Sequence, residues 1–332
     1  MIKAGIIGGA GYTAGELIRL LINHPNVEIS FVHSTSNAGN KITDVHSGLT
    51  GETDLVFTTY PLKGELGQPK SPLGDLGVEV LFLCSAHGDS KKFMEENTIP
   101  ENVKIIDLST DYRNESDGFV YGLPELNKEK IKKATRIANP GCFATAIQLA
   151  LLPLAANNLL KNEVHVNAIT GSTGAGVKPS STTHFSWRDN NISTYKPFEH
   201  QHLEEISQSL NQLQKGFNQA LNFIPVLGNF SRGIYATNYT DCDLSLEEIK
   251  ALYAGFYKDA TFTFVTGKNP DLKQVVNTNK CVLYLEKHGN KILIVSIIDN
   301  LLKGASGQAV HNFNLMFGLD EKTGLLLKSS AF

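Results

Sequence analysis

The run Ile137-Ala138-Asn139-Pro140-Gly141-Cys142-Phe143 sets a single sulfur directly after a Pro-Gly break, and Phe143, Ile147, Leu151 and Leu154 then recur at helical spacing. Cys142 is therefore expected at or near a helix N-terminus. Orphan amide N–H groups and the positive end of the helix dipole favour thiolate over thiol there. A free cysteine titrates near pH ~8.5, so a modest downward shift would ionise much of it at neutral pH. A thiolate can attack an acyl carbon, and the attack needs an acid/base partner. His200 and His202 offer one at the start of a second helical pattern, with Glu204 four residues after His200 and Glu205 three after His202. On a helix those separations let a carboxylate orient an imidazole. Spacing does not decide which histidine faces the sulfur; His202, nearer the regular helix, is favoured.

Between sulfur and histidines lies a strand, Val164 to Ile169, followed by the glycine- and hydroxyl-rich stretch GSTGAGVKPSS. Backbone N–H groups in such a loop can cradle an anion, and Lys178 could add charge. Arg232, immediately before a later strand, could grip a carboxylate or phosphate with two parallel hydrogen bonds.

These residues need elements to position them, and the first half of the chain reads as a nucleotide-binding scaffold. A short apolar strand runs into Gly8, Gly11 and the Ala14-Gly15 pair, and Leu17, Ile18, Leu20 and Leu21 continue as a helix until His24-Pro25. Strand, glycine loop and helix let backbone N–H groups approach a pyrophosphate. After a second strand, Val27 to Val32, the chain offers Ser34, Thr35, Ser36 and Lys41 where an NAD site would carry a carboxylate. Nothing there repels a 2′-phosphate, so NADP(H) is expected rather than NAD. Strands at Val78 to Cys84 and Val103 to Leu108, separated by a helical stretch, extend the alternation into a parallel sheet. Cys84 and His87 could suggest a second nucleophile and base, but Cys84 continues a buried strand and reads as core.

The second half ends in antiparallel strands with a turn at His288-Gly289-Asn290, and then a helix with Ala309, Phe313, Met316 and Phe317 on one side, expected to return to the first domain. Two domains are expected: residues 1–141 plus 305–332, a parallel α/β sheet, and residues 142–304, an α+β catalytic and oligomerisation domain with a mixed or antiparallel sheet.

With 332 residues, 41% hydrophobic and 19% charged, the composition is that of a soluble globular protein. A net charge of −3 with scattered Lys and Arg gives no footprint for nucleic acid or an anionic membrane. No signal peptide opens the chain, and the apolar run Ala146 to Ala156, interrupted by Gln148 and Pro153, is shorter than the ~20 residues a membrane helix needs. A cytoplasmic enzyme is expected. Its four cysteines, Cys84, Cys142, Cys242 and Cys281, are far apart and should be free thiols with no metal site.

Taken in order, GGAGYTAGEL, DLSTDYR, YGLPEL, NPGCFAT, GSTGAG, YKPFEHQH, RGIYAT and KGASGQAVHNFNLMFGL resemble the N-acetyl-γ-glutamyl-phosphate reductases of the aspartate-semialdehyde dehydrogenase-like superfamily, over nearly the whole length. The resemblance implies a Rossmann-type first domain, reduction of an acyl phosphate through a Cys142 thioester in arginine biosynthesis, an acid/base from the His200/His202 pair, and a homo-oligomer, dimer or tetramer. It further implies NADP(H) on Gly8, Gly11, Tyr12, Thr13, Ala14, Ser34, Ser36, Ser85, His87, Gly174, Gly176, Asn300 and Gln308. The small-molecule acyl phosphate would meet Ser109, Arg113, Asn139, Lys178, Tyr195 and Arg232. Two departures concern the substrate pocket: Val177 follows Gly174-Ala175-Gly176 where the family usually has arginine, and Val226 stands in Phe223-Ile224-Pro225-Val226-Leu227 where it usually has histidine. Also lost is the later Pro-Met, replaced by Asn229-Phe230. An N-succinyl substrate is an alternative on that ground. Aspartate-semialdehyde dehydrogenase, or a non-catalytic NADP-binding sensor, are others.

Overall fold

A computed structural model describes residues 1–59 and 77–330. The chain divides into two compact units. The first comprises Met1–Gly122, Asn127–Asn139 and Ser306–Leu325; the second comprises Leu123–Leu126, Pro140–Ala305 and the chain after Leu325. The short segment Leu123–Leu126, placed by sequence with the first domain, groups with the second. Glu125 supplies a reason, because its carboxylate, 2% exposed, pairs with the fully buried Lys303 at 2.8 Å and accepts the Thr263 hydroxyl at 2.7 Å. A buried ion pair of this kind fixes geometry, since either partner alone would be an uncompensated charge.

The first unit is a seven-stranded sheet of β1 (Ile2–Ile7), β2 (Val27–His33), β3 (Phe57–Thr58), β4 (Val80–Leu83), β5 (Lys104–Asp107), β6 (Val120–Tyr121) and β7 (Arg136–Ala138). Its order is β3-β2-β1-β4-β5-β7-β6 and every pairing is parallel. β4 is Val-Leu-Phe-Leu, buried throughout, as a strand covered on both faces must be. Strand order reverses at β1, so the carboxyl ends of β1 and β4 flank the crevice where ligands bind in such sheets. Gly8 closes that end with φ 80°, and a side chain there would lie 2.8 Å from the Cys84 and Ser85 backbone.

The terminal helix, Gly307–Met316, belongs to this unit. Sequence suggested one apolar side, yet all ten residues are buried. Two of its asparagines have interior partners: Asn312 donates to Gly122 O at 2.8 Å and Asn139 Oδ1 at 3.1 Å, and Asn314 donates to Glu321 O and Thr323 O.

The second unit contains β8 (Val164–Thr170), β9 (Ser193–Thr194), β10 (Leu221–Leu227), β11 (Ile234–Asp241), β12 (Thr263–Thr266), β13 (Cys281–His288) and β14 (Lys291–Ile298), in the order β12-β13-β14-β11-β8-β10-β9. The sheet is mixed, with β12–β13 and β8–β10 parallel and the rest antiparallel. β8 alternates buried and partly exposed residues, so one face is covered. The covering element is the helix Cys142–Ala156, which packs on β11, β13 and β14 and against the helix His202–Leu213. Residues Phe143 through Ala155 are buried on every side, which makes this the central helix of the unit.

Candidate active site

Cys142 is the first residue of that helix, after an extended Gly141 cap with no side chain closing the end. The first-turn amides are left for what sits beside the sulfur. Cys84, Cys242 and Cys281 are buried, whereas Cys142 keeps partial exposure, and none of the four is in a disulfide. Burial pushes the Cys84 thiol far above its ordinary value and Cys281 up to about 12, so both remain neutral.

Glu205 ties the sulfur-bearing helix to the histidine helix. Its Oε2 accepts the Gly141 N–H at 3.1 Å, its Oε1 lies 3.8 Å from His202 Nε2, and its backbone carbonyl accepts Gln148 Nε2 at 3.1 Å. Glu204 is exposed, so Glu205 is the carboxylate at the site. Both histidines are buried, with ring centroids 4.5 Å apart and lying 5.5 Å (His200) and 6.3 Å (His202) from Phe143. The two are not equivalent. His200 Nδ1 accepts the His202 backbone N–H at 3.2 Å, so that nitrogen carries no proton.

Tyr195 completes the group, 5.8 Å from the His200 ring. Burial, and then the neighbouring Cys142 sulfur, push its hydroxyl well above the usual range. A tight turn delivers these residues: Lys196 and Phe198 have φ of 43° and 64°, which costs a side-chain-bearing residue about 1 kcal/mol or more. Backbone bonds from Tyr195 to Pro225 O at 3.2 Å and from Phe198 to Phe223 O at 2.9 Å hold it against β10.

Gly304, absent from the sequence-derived set, also belongs here. A Cβ on it would lie 2.7 Å from Cys142 Cβ and 3.1 Å from Cys142 Cα, so only a bare Cα fits behind the sulfur. It sits in a π-type turn, Leu302–Ser306. Such turns are frequent at functional sites.

The glycine loop after β8 is braced from below. Asn300 donates to Thr173 Oγ1 at 3.0 Å and accepts Gly233 N–H at 2.7 Å, and Thr173 donates to Ser231 O at 2.6 Å. Lys178, Gly174 and Gly176 are exposed. Arg232, expected to grip a substrate anion, directs its fork inward: Nε and Nη2 donate to Asp299 at 3.1 and 3.2 Å. That fully buried carboxylate also accepts N–H groups of Asn277, Leu301 and Leu302. A charge so enclosed requires such donors, which is why the arginine is retained there.

In the first unit, Gly11 caps the helix Tyr12–Leu21 without a side-chain hydrogen bond, and the space where its Cβ would stand is open. Gln308 is wholly buried, yet both polar atoms of its amide lack hydrogen-bond partners, in contrast to Asn312 and Asn314 on the same helix. An open backbone cradle and a buried amide awaiting partners fit a dinucleotide with a carboxamide end. Ser34 is buried, Ser36 exposed, and Asn37 Nδ2 bridges them at 3.4 and 3.0 Å. Ser85 and His87 follow the carboxyl end of β4, with His87 Nδ1 accepting Thr110 N–H at 3.2 Å.

Among the expected substrate residues of this unit, Ser109 donates to buried Asp107 at 2.7 Å. Arg113 donates to Asn139 O and Leu108 O at 3.0 and 3.3 Å, and Asn139 Oδ1 accepts from Asn312. Arg113 and Asn139 thus stitch β5, β7 and the terminal helix. Among the described residues no group of three or more His, Cys, Asp or Glu is arranged to hold a metal, and no helix is long and apolar enough to cross a membrane.

A parallel nucleotide-type sheet, a mixed sheet and a helix-start cysteine beside two histidines define a semialdehyde dehydrogenase type of oxidoreductase. Residues 3–134 match the family described as semialdehyde dehydrogenase, NAD binding domain, and residues 142–300 match semialdehyde dehydrogenase, dimerisation domain. The fold is shared with aspartate semialdehyde dehydrogenase II of Vibrio cholerae, complexed with ASA (TM-score 0.71, 14% identity, 96% of this chain and 98% of that one), and with a probable aspartate-semialdehyde dehydrogenase of Pseudomonas aeruginosa (TM-score 0.72, 14% identity, 95% and 98%). Full-length similarity is far higher to proteins named N-acetyl-gamma-glutamyl-phosphate reductase: 66% identity in Parabacteroides distasonis and 63% in Bacteroides thetaiotaomicron, each over 100% of both chains. The chain belongs to the N-acetyl-gamma-glutamyl-phosphate reductase family.

Proposed function

We propose that the protein reduces N-acetyl-γ-glutamyl phosphate to the corresponding 5-semialdehyde with NADPH, a step of arginine biosynthesis. One observation supports this most: the buried Glu205 joins the cap of the Cys142 helix to His202, so one carboxylate links the start of the thiol-bearing helix to an imidazole.

In this reading the Cys142 thiolate, favoured by its helix terminus, attacks the γ-acyl carbon. The carbon–sulfur bond forms, the bond to the phosphate oxygen breaks, and inorganic phosphate departs. Gly141 N–H is taken by Glu205, so first-turn N–H groups from Cys142 onward steady the developing oxyanion. When bound, the reduced nicotinamide supplies hydride to the thioester carbon. An imidazolium then gives its proton as the thiohemiacetal collapses, releasing aldehyde and regenerating the sulfur. We assign that proton to His202, because Glu205 stands at its Nε2 and stabilises the cation, whereas His200 Nδ1 is committed to a backbone N–H. Gly8, Gly11 to Ala14, Ser34, Ser36 and Gln308 would hold the dinucleotide; Tyr195, near Cys142 and His200, would face the acyl group. Arg232 and Asn300 act as braces of the pocket wall. Four cysteines without a disulfide suit the cytoplasm, and the second unit would mediate assembly into dimers or tetramers.

The test is steady-state reduction of N-acetyl- and N-succinyl-γ-glutamyl phosphate and of aspartyl phosphate, with Cys142→Ser, His202→Asn and His200→Asn. The N-acetyl compound should give the highest kcat/KM. Cys142→Ser should lose about 10³-fold or more while still binding NADPH, and His202→Asn should lose more than His200→Asn. Undiminished turnover by Cys142→Ser would remove the nucleophile, and a preference for the N-succinyl compound would trace to Val177 and Val226.

A further inference from the structure

The turn that follows β1 is made of glycines at Gly8, Gly9 and Gly11, and free glycine backbone loses more conformational entropy on ordering than any other. A ligand that had to order it would bind correspondingly less tightly. One side chain from elsewhere in the first unit meets this turn at both ends. His46 Nε2 lies 2.7 Å from the carbonyl oxygen of Gly9. A carbonyl only accepts, so Nε2 carries a proton and donates. At the other end, a Cβ on Gly15 would stand 2.6 Å from His46 Nδ1 and 2.8 Å from its Cε1. The imidazole therefore rests on the bare Cα of Gly15, in the first turn of the helix Tyr12–Leu21.

The ring is itself fixed. His46 follows the single helical turn Ile42–Val45, its N–H donates to Ile42 O at 2.8 Å, and its carbonyl accepts Leu49 N–H at 2.9 Å. At the start of that turn Asp44 accepts the Lys41 N–H at 3.1 Å, and the ring meets Phe57 of β3 at 6.2 Å. Gly9, for its part, has no room for a side chain, because a Cβ would lie 2.3 Å from Val32 Cγ1. The turn is thus pressed against β2 on one side and hooked by an imidazole on the other, leaving the open side at Gly11.

We infer that His46 is a positioning residue for the dinucleotide, a clamp that holds the Gly9 to Gly15 backbone in its binding shape before the ligand arrives. The inference rests on reading the Gly8–Gly15 loop as the NADP(H) site. It also explains the glycine at position 15: the space that its missing side chain leaves is filled by the imidazole.

The test uses the full-length enzyme and its variants His46→Ala, His46→Gln and Gly15→Ala. NADPH binding is read by nicotinamide fluorescence, and amide hydrogen exchange of residues 8–15 is read without cofactor. His46→Ala and Gly15→Ala should raise the NADPH Kd about 5- to 30-fold and speed exchange across residues 8–15. His46→Gln, which keeps an N–H near the Nε2 position, should recover most of the affinity. Turnover of each variant at saturating NADPH should fall by a smaller factor than its affinity, since the clamp acts on binding. Gly15→Ala, which only pushes the ring aside, keeps the test decisive if His46→Ala folds poorly. Wild-type Kd and exchange in His46→Ala, or no rescue by glutamine, would overturn the clamp. A wild-type enzyme that does not bind NADPH would overturn the reading of the loop instead.

Discussion

Gly304 and Glu205 constrain Cys142 from two sides, one by having no side chain and the other by holding the backbone ahead of it. A methyl group at 304 has to displace the sulfur-bearing residue, because the contact would fall on its Cβ and Cα rather than on a flexible end. Gly304→Ala should therefore lower kcat about 10²-fold, the scale of a misplacement near 1 Å, while NADPH binding measured by fluorescence stays near wild type. Equal kcat would show that the sulfur tolerates the shift. The helix starts at Cys142 and His202 were legible in the sequence because Pro-Gly breaks, helical spacing and residue type are local signals. Gly304 was not, since nothing within its own neighbourhood marks a glycine that serves a residue far back in the chain. Arg232 shows the converse: a cation before a strand reads as a ligand-binding group, and only the fold reveals Asp299 beneath it.

Pro153 lies inside the cysteine helix, where it removes the N–H that would have bonded to Leu149 O. Tyr257 replaces what is lost by donating to Leu149 O, and Tyr253 adds a bond to the next carbonyl, Ala150 O. Both come from the end of the helix Leu246–Phe256, whose start is set by a reciprocal cap of Ser245 and Glu248. Tyr257→Phe should cost about 1–3 kcal/mol in denaturant unfolding, because a buried carbonyl is left unmet, with little change in kcat. A Tyr257→Phe protein as stable as wild type would mean that the Leu149 carbonyl does not need this donor. The cap itself, Ser-Leu-Glu-Glu, is a sequence pattern for a helix start. The pairing of the tyrosines with a distant proline is not, since it depends on how the helix lies on the sheet. For the same reason the terminal helix misled: a one-sided apolar pattern describes a surface element, whereas Asn312 is buried against Gly122 and Asn139, far away in sequence, and Asn314 against the chain just beyond the helix.

At the scale of the whole molecule, the alternation of strands and helices made the parallel sheet and the mixed sheet readable before any coordinates. Chain crossing was not readable, because the Glu125–Lys303 pair that draws Leu123–Leu126 into the second unit joins charges remote in sequence. The chain after the terminal helix is fastened by Glu321. Burial alone would raise its carboxyl, but bonds from His311 and Lys128 outweigh it and hold the group at about 2. A folded value below the unfolded one of ~4.3 contributes stability above the unfolded value, and this is lost as pH falls towards 2. Between pH 5 and pH 2.5 the wild-type Tm should therefore fall more steeply than that of Glu321→Gln; parallel curves would show that the triad adds nothing to stability. Sealing three of four sulfurs in hydrocarbon has a practical corollary. An alkylating reagent applied to the native enzyme should add one mass increment per subunit, and the labelled fraction then counts working centres directly.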